Sequence, residues 1–449
     1  MLLRWVDKRA FTLIELRVVQ LLQVFMQAST RARWTPTFFL GRWPSWLCFL
    51  GLLAVLVFFL HWKFQRATEP PAPVRVMWTF EPVERGAIVS SPLVTGDRIF
   101  VGIIHDVGFS SVGAVYGIDR LTGKELWKFD DDARMQHMFS SPCLSDGRLY
   151  IGDGMHQNFQ CKLYCLNADS GQKLWDFEVS NHVESSPCVV DGKVYFGAGD
   201  DGVYCLDAKT GKPCWHFREP LHVDASLALI GSYLFAGSGL SRKCKTTEVF
   251  CLNAQTGDVV WRKPTRWSAW GSPVLDGGQV FFGLGNGRVI EGPAPPEKPA
   301  GAVWCLQQDT GEVIWQSQLP DAVLHKPAVD VNHVYVGARD GFCYCLDRRQ
   351  GTVVWQTGLR SPVIARPALQ DGHLYVIASE GRICRLNAGT GDMEWTFDVA
   401  SYTKTRPRMF SSPTVMVDPE SEGDHHWIYV GTELSNGVQS AAVLYALKD

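Results

Sequence analysis

Three histidines, His137, His182 and His222, and two carboxylates, Glu184 and Asp224, recur at regular intervals in a 449-residue chain. Imidazole nitrogens beside carboxylate oxygens could hold a metal ion or handle a proton. Two cations further along, Lys326 and Arg366, could grip an anionic group, either a peptide carboxylate or a cofactor. Trp270 falls in the same register as the two carboxylates and offers a flat apolar surface. What these residues can do depends on whether the fold brings their positions together.

The elements that must position them come from a repeat. A unit ending in a Thr-Gly type turn and a tryptophan closes at Trp127, Trp175, Trp215, Trp261, Trp315, Trp355 and Trp395, with 40 to 54 residues from one to the next. A second block precedes each unit, as in SSPCVVDGKVYFG from Ser185. An eighth copy of that block starts at Ser411, and the chain then stops without the turn or the tryptophan. Every period holds four short alternating apolar runs separated by turn dipeptides, the pattern of a four-stranded propeller blade. Trp78 lies 49 residues before Trp127, in phase with the series. Residues 74–80 are therefore expected to supply the eighth blade's outermost strand and close the ring.

The motif has a physical reading. Gly in the turn takes a positive φ that a side chain would penalise, and the Asp or Asn before it can accept from turn amides. The tryptophan lands on the outer strand, where it can pack between blades with its indole N–H free for a backbone carbonyl. Aligned on the proline of the Ser-Ser-Pro block, Ser91, Ser141, Ser186, Ser226, Ser272, Lys326, Arg366 and Ser412 share one ring position. That predicts a polar channel lining with a positive side on blades six and seven. Two residues earlier come Glu184, Asp224 and Trp270, and two earlier still the three histidines. Equivalent positions on neighbouring blades are expected to stand too far apart for one ion, whose nitrogen ligands lie about 2.0–2.1 Å away. The expectation is thus of binding residues at the channel mouth, with no metal.

On these repeats the chain resembles the pyrroloquinoline-quinone (PQQ)-type propeller repeat family, whose docking motif reads A-x-D-x-x-T-G-x-x-x-W. The resemblance runs over residues 74–449. It implies an all-β fold, an eight-bladed β-propeller held by tryptophan docking at Trp78, Trp127, Trp175, Trp215, Trp261, Trp315, Trp355 and Trp395. Three functions occur on such repeats: quinoprotein dehydrogenases, noncatalytic outer-membrane assembly factors of the BamB type, and sensor domains of membrane kinases. In the dehydrogenases basic residues grip the quinone, a tryptophan sandwiches it, adjacent cysteines cap it, and Glu, Asn and Asp hold calcium. Lys326, Arg366, Trp270, Glu184 and Asp224 would take those roles here. Yet none of the 13 cysteines adjoins another, and there is no Cys-x-x-Cys-His haem motif. No nucleophile constellation appears either. The expected function is a noncatalytic scaffold for a protein or peptide, without a cofactor; PQQ with Ca2+ belongs to the dehydrogenase alternative. A ligand sensor with a separate signalling partner is the third reading, because 46 N-terminal residues cannot hold a kinase.

Net charge is −3 and no basic run interleaves with aromatics in the repeats, which argues against nucleic acid. Residues 1–46 are basic, and Lys8 to Leu16 resembles a type IV prepilin processing site; an upstream extension from a mis-assigned start is the other reading. Residues 47–62 carry the charge-free run LCFLGLLAVLVFFL, flanked by Trp43, Trp46 and Trp62. A transmembrane helix is expected there, uncleaved for want of a small-residue cleavage site. Seven basic residues precede it, which places the propeller in a bacterial periplasm, anchored by a single pass in the inner membrane and spaced from it by a Pro-rich linker, 63–73. Cys165, Cys205, Cys251, Cys305 and Cys345 share one strand slot and are expected to be packing residues. Cys161, Cys214 and Cys244 remain as disulfide candidates.

Overall fold

The computed structural model describes residues 74–107, 110–156, 158–286, 298–418, 425–435 and 440–449. The expected N-terminal segment, anchor and linker, Cys48 and most of the loop 291–299 lie outside the described residues. Among the described residues no helix is long and apolar enough to cross a membrane. Contacts divide the chain into Met1–Pro71 and Ala72–Asp449. The second unit is a ring of eight antiparallel sheets, one per repeat, as the periodicity predicts.

Blade two shows the standard blade: Cys143–Ser145, Arg148–Gly152, Lys162–Asn167 and Lys173–Glu178 pair in that order from axis to rim. The innermost strands of successive blades neighbour one another and so line the channel. The second and third strands are almost wholly buried, as with LYIG and LYCL in this blade, and their side chains fill the layers between blades. The eighth blade is assembled from both ends of the chain. Arg75–Phe80 pairs antiparallel with Ser440–Lys448, Trp78 opposite Ala446 and Phe80 opposite Leu444. The expectation from the phase of Trp78 holds.

Docking follows one rule. Each indole lies against the turn glycine of the next blade and donates its N–H to a carbonyl of the same turn. The bonds run from Trp78 to Arg120 (3.1 Å), Trp127 to Ala168 (3.1 Å), Trp175 to Ala208 (3.2 Å) and Trp215 to Ala254 (3.0 Å). Trp261 continues to Gln308 (2.9 Å), Trp315 to Arg348 (2.8 Å) and Trp355 to Ala388 (3.0 Å). A register slip just before the tryptophan, such as that between Lys173 and Trp175, re-aims the ring out of its own sheet. Trp395 is the exception. The eighth unit has no Thr-Gly turn for it to meet, and its buried Nε1 has no partner among the described residues. Asp119, Asn167, Asp207 and Asn253 accept turn amides as expected.

The Ser-Ser doublet has a division of labour that the sequence did not disclose. The first serine accepts an N–H of its own blade: Ser185 Oγ donates to the Gly197 carbonyl and accepts the Gly197 N–H, both at 2.8 Å, while Ser140 accepts from Gly152 but donates across to the Ser185 carbonyl of the next blade. The second joins blades. Ser141, Ser186 and Ser226 Oγ accept the N–H of Ser91, Ser141 and Ser186 at 2.9, 3.0 and 2.8 Å. Ser412 accepts from Arg366 at 3.0 Å, and Ser91 accepts from Ser412 at 3.1 Å. This belt runs from blade seven across the closure between the last blade and the first, and on to blade four.

All twelve described cysteines are free thiols. The five in the repeated slot are fully buried, in line with a packing role. Cys161, Cys214 and Cys244 form no bridge.

Candidate functional site

The segments that lead into the innermost strands of blades three, four and five converge at one end of the channel. His182 and Glu184 arrive before blade three, His222 and Asp224 before blade four, Trp270 before blade five. A fourth strand-to-strand connection completes the group. Blade two carries the long connection GDGMHQNFQC where blade three has only GAGDDG, and its turn at Met155 and Asn158 projects His156 over blade three.

The imidazoles of His182 and His222 have centroids 5.5 Å apart, and His156 lies 5.2 Å from the first and 5.3 Å from the second. The expectation that neighbouring blades hold these positions too far apart is corrected. Close to the axis the arc between blades is short, and the side chains point towards a common centre. One ligand atom from each of His156, His182, His222 and Asp224 falls within 4.8 Å of every other. His137 is not among them. Its blade-two position is taken over by His156; the His137 carbonyl accepts from Gly154, and its Nδ1 is buried without a partner.

Asp224 is the hub. Its Oδ1 meets His182 Nε2 at 2.9 Å, and its Oδ2 lies 2.7 Å from His222 Nε2 and 3.4 Å from His156 Nδ1. The contact with His222 is a close ion pair, and neither His222 Nε2 nor Asp224 Oδ2, both buried, has an assigned hydrogen bond among the described residues. Outside this group a second layer of carboxylates orients the rings. Asp200 Oδ1 binds His222 Nδ1 at 2.6 Å, and Glu184 Oε1 takes both Nδ1 and the backbone N–H of His156 at 2.8 Å. Cys244 Sγ donates to Asp200 at 3.6 Å, and Trp270 stacks on His156 at 5.7 Å with an interplanar angle of 28°. Burial works against charge on Asp224, but His222 and His182 overcome it and hold the carboxyl below its ordinary range. Burial likewise disfavours charge on His222, yet Asp224 and Asp200 prevail and raise it.

Lys326 and Arg366 occupy the serine belt position on blades six and seven, as expected. They do not meet Glu184 or Asp224. Among the described residues neither cation's side chain has an ion-pair or hydrogen-bond partner. Burial, and for Lys326 also the neighbouring Arg366, lowers the pKa of both. Beside them burial and Arg366 push His325 down to about 4.

The structure thus joins His182, His222, Glu184, Asp224 and Trp270, and separates them from Lys326, Arg366 and His137. Sequence reasoning missed His156, Asp200 and Cys244, which sit in connections outside the repeat register. The available signal was the extra length of the blade-two connection.

Against this geometry, the sequence profile described as outer membrane protein assembly factor BamB matches residues 111–297 and 299–438. The chain belongs to that family. A comparison of this BamB-family chain with curated proteins finds no match. Among solved structures it is similar to BamB from Moraxella catarrhalis, at 15% identity and a TM-score of 0.58, over 83% of this chain and 98% of that one. It is also similar to the quinohemoprotein alcohol dehydrogenase from Comamonas testosteroni, at 13% identity and a TM-score of 0.62, over 84% and 76%. The computationally designed Ika8 protein aligns at 14% identity with a TM-score of 0.58, over 83% and 99%. These likenesses establish the shared propeller fold.

Proposed function

We propose that this BamB-family chain is a noncatalytic, membrane-anchored propeller that faces the periplasm and binds an extended peptide segment of a protein partner. The anchoring and orientation rest on residues 47–62 and the basic residues before them. The observation that carries the binding role is the rim. Each outermost strand is paired on one side only, and the residue before the docked tryptophan is an exposed aliphatic in five blades: Leu126, Leu174, Val260, Ile314 and Val354. An open backbone edge with an apolar side chain beside it suits addition of a strand from another protein. Within the channel, Ser141, Ser186 and Ser226 are committed to neighbouring amides, as a structural lining would be.

Photoreactive side chains placed at Val259 and Val353, the exposed neighbours of Val260 and Val354, in the full-length protein test this. A single defined adduct, lost in Val260→Lys and Val354→Lys, supports the scaffold. Crosslinking that is absent or unchanged by these substitutions removes the rim from the account.

One observation favours the dehydrogenase alternative: Lys326 and Arg366 stand in the channel without an anion of the protein's own. The remaining residues do not fit that cofactor set. Calcium requires six to eight oxygen ligands, whereas Glu184 and Asp224 are turned into a nest of imidazoles. No adjacent cysteines exist to cap a quinone. Titration of the protein with PQQ and Ca2+ while following its melting temperature separates the readings, since saturable stabilisation lost in Lys326→Ala and Arg366→Ala would revive the enzyme.

A further inference from the structure

We infer that His156, His182, His222 and Asp224 form a site for a zinc-class divalent transition metal that clips blades two, three and four together at the channel mouth.

The donor set points to that class. Three imidazoles and one carboxylate suit borderline cations such as Zn2+ and are too nitrogen-rich for Ca2+ or Mg2+. The four ligand atoms all lie within 4.8 Å of one another, wider than the roughly 3.3–3.6 Å between ligands about 2.0–2.2 Å from one tetrahedral ion, so binding would draw the side chains inward by about 1 Å. Four protein ligands make a closed site, which is the structural rather than the catalytic form.

Two further observations go beyond proximity. His222 Nε2 and Asp224 Oδ2 are buried, lie 2.7 Å apart and have no assigned hydrogen bond among the described residues. Buried polar atoms are seldom left so, and both are aimed at the centre of the group. The outer layer is also that of a metal site. Asp200 accepts from His222 Nδ1 at 2.6 Å and so frees Nε2 for a ligand role, whereas Glu184 holds at 2.8 Å the His156 Nδ1 that itself faces Asp224. Carboxylate–histidine–metal triads use this arrangement to set tautomer and ring orientation. An imidazolium–carboxylate cluster with no ion is the competing account.

The ligands come from three chain segments. His156 sits on the blade-two connection, His182 on the approach to blade three, and His222 with Asp224 on the approach to blade four. An ion would add a side-chain tie to segments already linked through their backbones, by Val183 N–H to the Asp153 carbonyl at 2.9 Å and by the Gly199–Val223 bridge.

The test is Co2+ titration of the full-length protein in detergent and metal-free buffer, read by visible absorption, with Zn2+ as competitor. Expected are the intense bands of tetrahedral Co2+ at one equivalent, displaced by Zn2+, with a rise in melting temperature. His222→Ala abolishes the bands, Asp200→Asn weakens affinity about 10- to 100-fold, and His137→Ala changes nothing. Should His222→Ala fail to fold, His156→Ala, on an exposed turn, reads the same loss. Absent bands, weak octahedral bands, or affinity indifferent to Asp200→Asn and His156→Ala overturn the site and leave the ion-free cluster.

Discussion

The indole of Trp127 lies so close over Gly171 that a Cβ there would stand 2.5 Å from its Cε3, while its Nε1 donates to Ala168 of the same turn at 3.1 Å. One residue thereby fixes both the distance and the tilt between two blades. Gly171 has φ +71°, so Gly171→Ala should incur about 1–2 kcal/mol for the left-handed backbone and further loss from the displaced ring. Gly147 has the same φ with nothing within 4 Å of a Cβ, and Gly147→Ala should show the backbone cost alone. Denaturant melts of the two variants give the difference directly.

Trp355 and Trp395 separate the docking bond from the docking surface. Trp355 donates to Ala388 at 3.0 Å and Trp395 donates to nothing among the described residues. Trp355→Phe strands a carbonyl acceptor, whereas Trp395→Phe removes an orphaned donor. Trp355→Phe should therefore be the more destabilising by about 1–2 kcal/mol. Equal melting temperatures would mean that the N–H contributes nothing to cohesion between blades.

Burial, reinforced by Arg366, holds His325 at about 4, against an ordinary value of 6.5. The unfolded chain takes up the proton first as pH falls. The stability from neutral His325 is complete above pH 6.5 and is lost progressively between 6.5 and 4, up to about 3 kcal/mol. His325→Gln should flatten the melting temperature over that window and leave it unchanged above pH 7.

Thiol chemistry should single out one cysteine. Cys214 is exposed, whereas Cys165, Cys205, Cys251, Cys305 and Cys345 are buried, and burial pushes the Cys165 thiol up to about 12. Maleimide applied to the folded protein should label Cys214 first among the described cysteines, with the others following only on denaturation. Peptide mapping of the labelled sites reads the order. Rapid labelling of Cys251 in the native state would contradict the packing role.

Much of this architecture is legible in the chain because each blade repeats the same solution. The phase of Trp78 alone identifies a strand whose partner lies at the other terminus, and the shared register of Ser91, Ser141 and Ser186 gives the channel belt. The site is less legible for two reasons. Distances across a ring depend on radius, so residues of equal register can be remote at the rim and in contact near the axis, as His182 and His222 are. His156 lies in an insertion, where periodicity carries no information about direction. Trp395, expected to dock like the others, lacks its acceptor because a blade without the turn cannot supply one.

The pairing of Arg75–Phe80 with Ser440–Lys448 has a consequence in time. The propeller's first described strand meets its partner only once Ser440–Lys448 has been made, so seven blades can form while the ring stays open. Such a contact spans nearly the whole propeller sequence and is slow to form. Until then the eighth sheet keeps a bare edge, the kind of surface that recruits chaperones or aggregates. Loss of Ser440–Lys448 would leave that edge permanently open, so the ring closes only around a strand made about 360 residues after its partner.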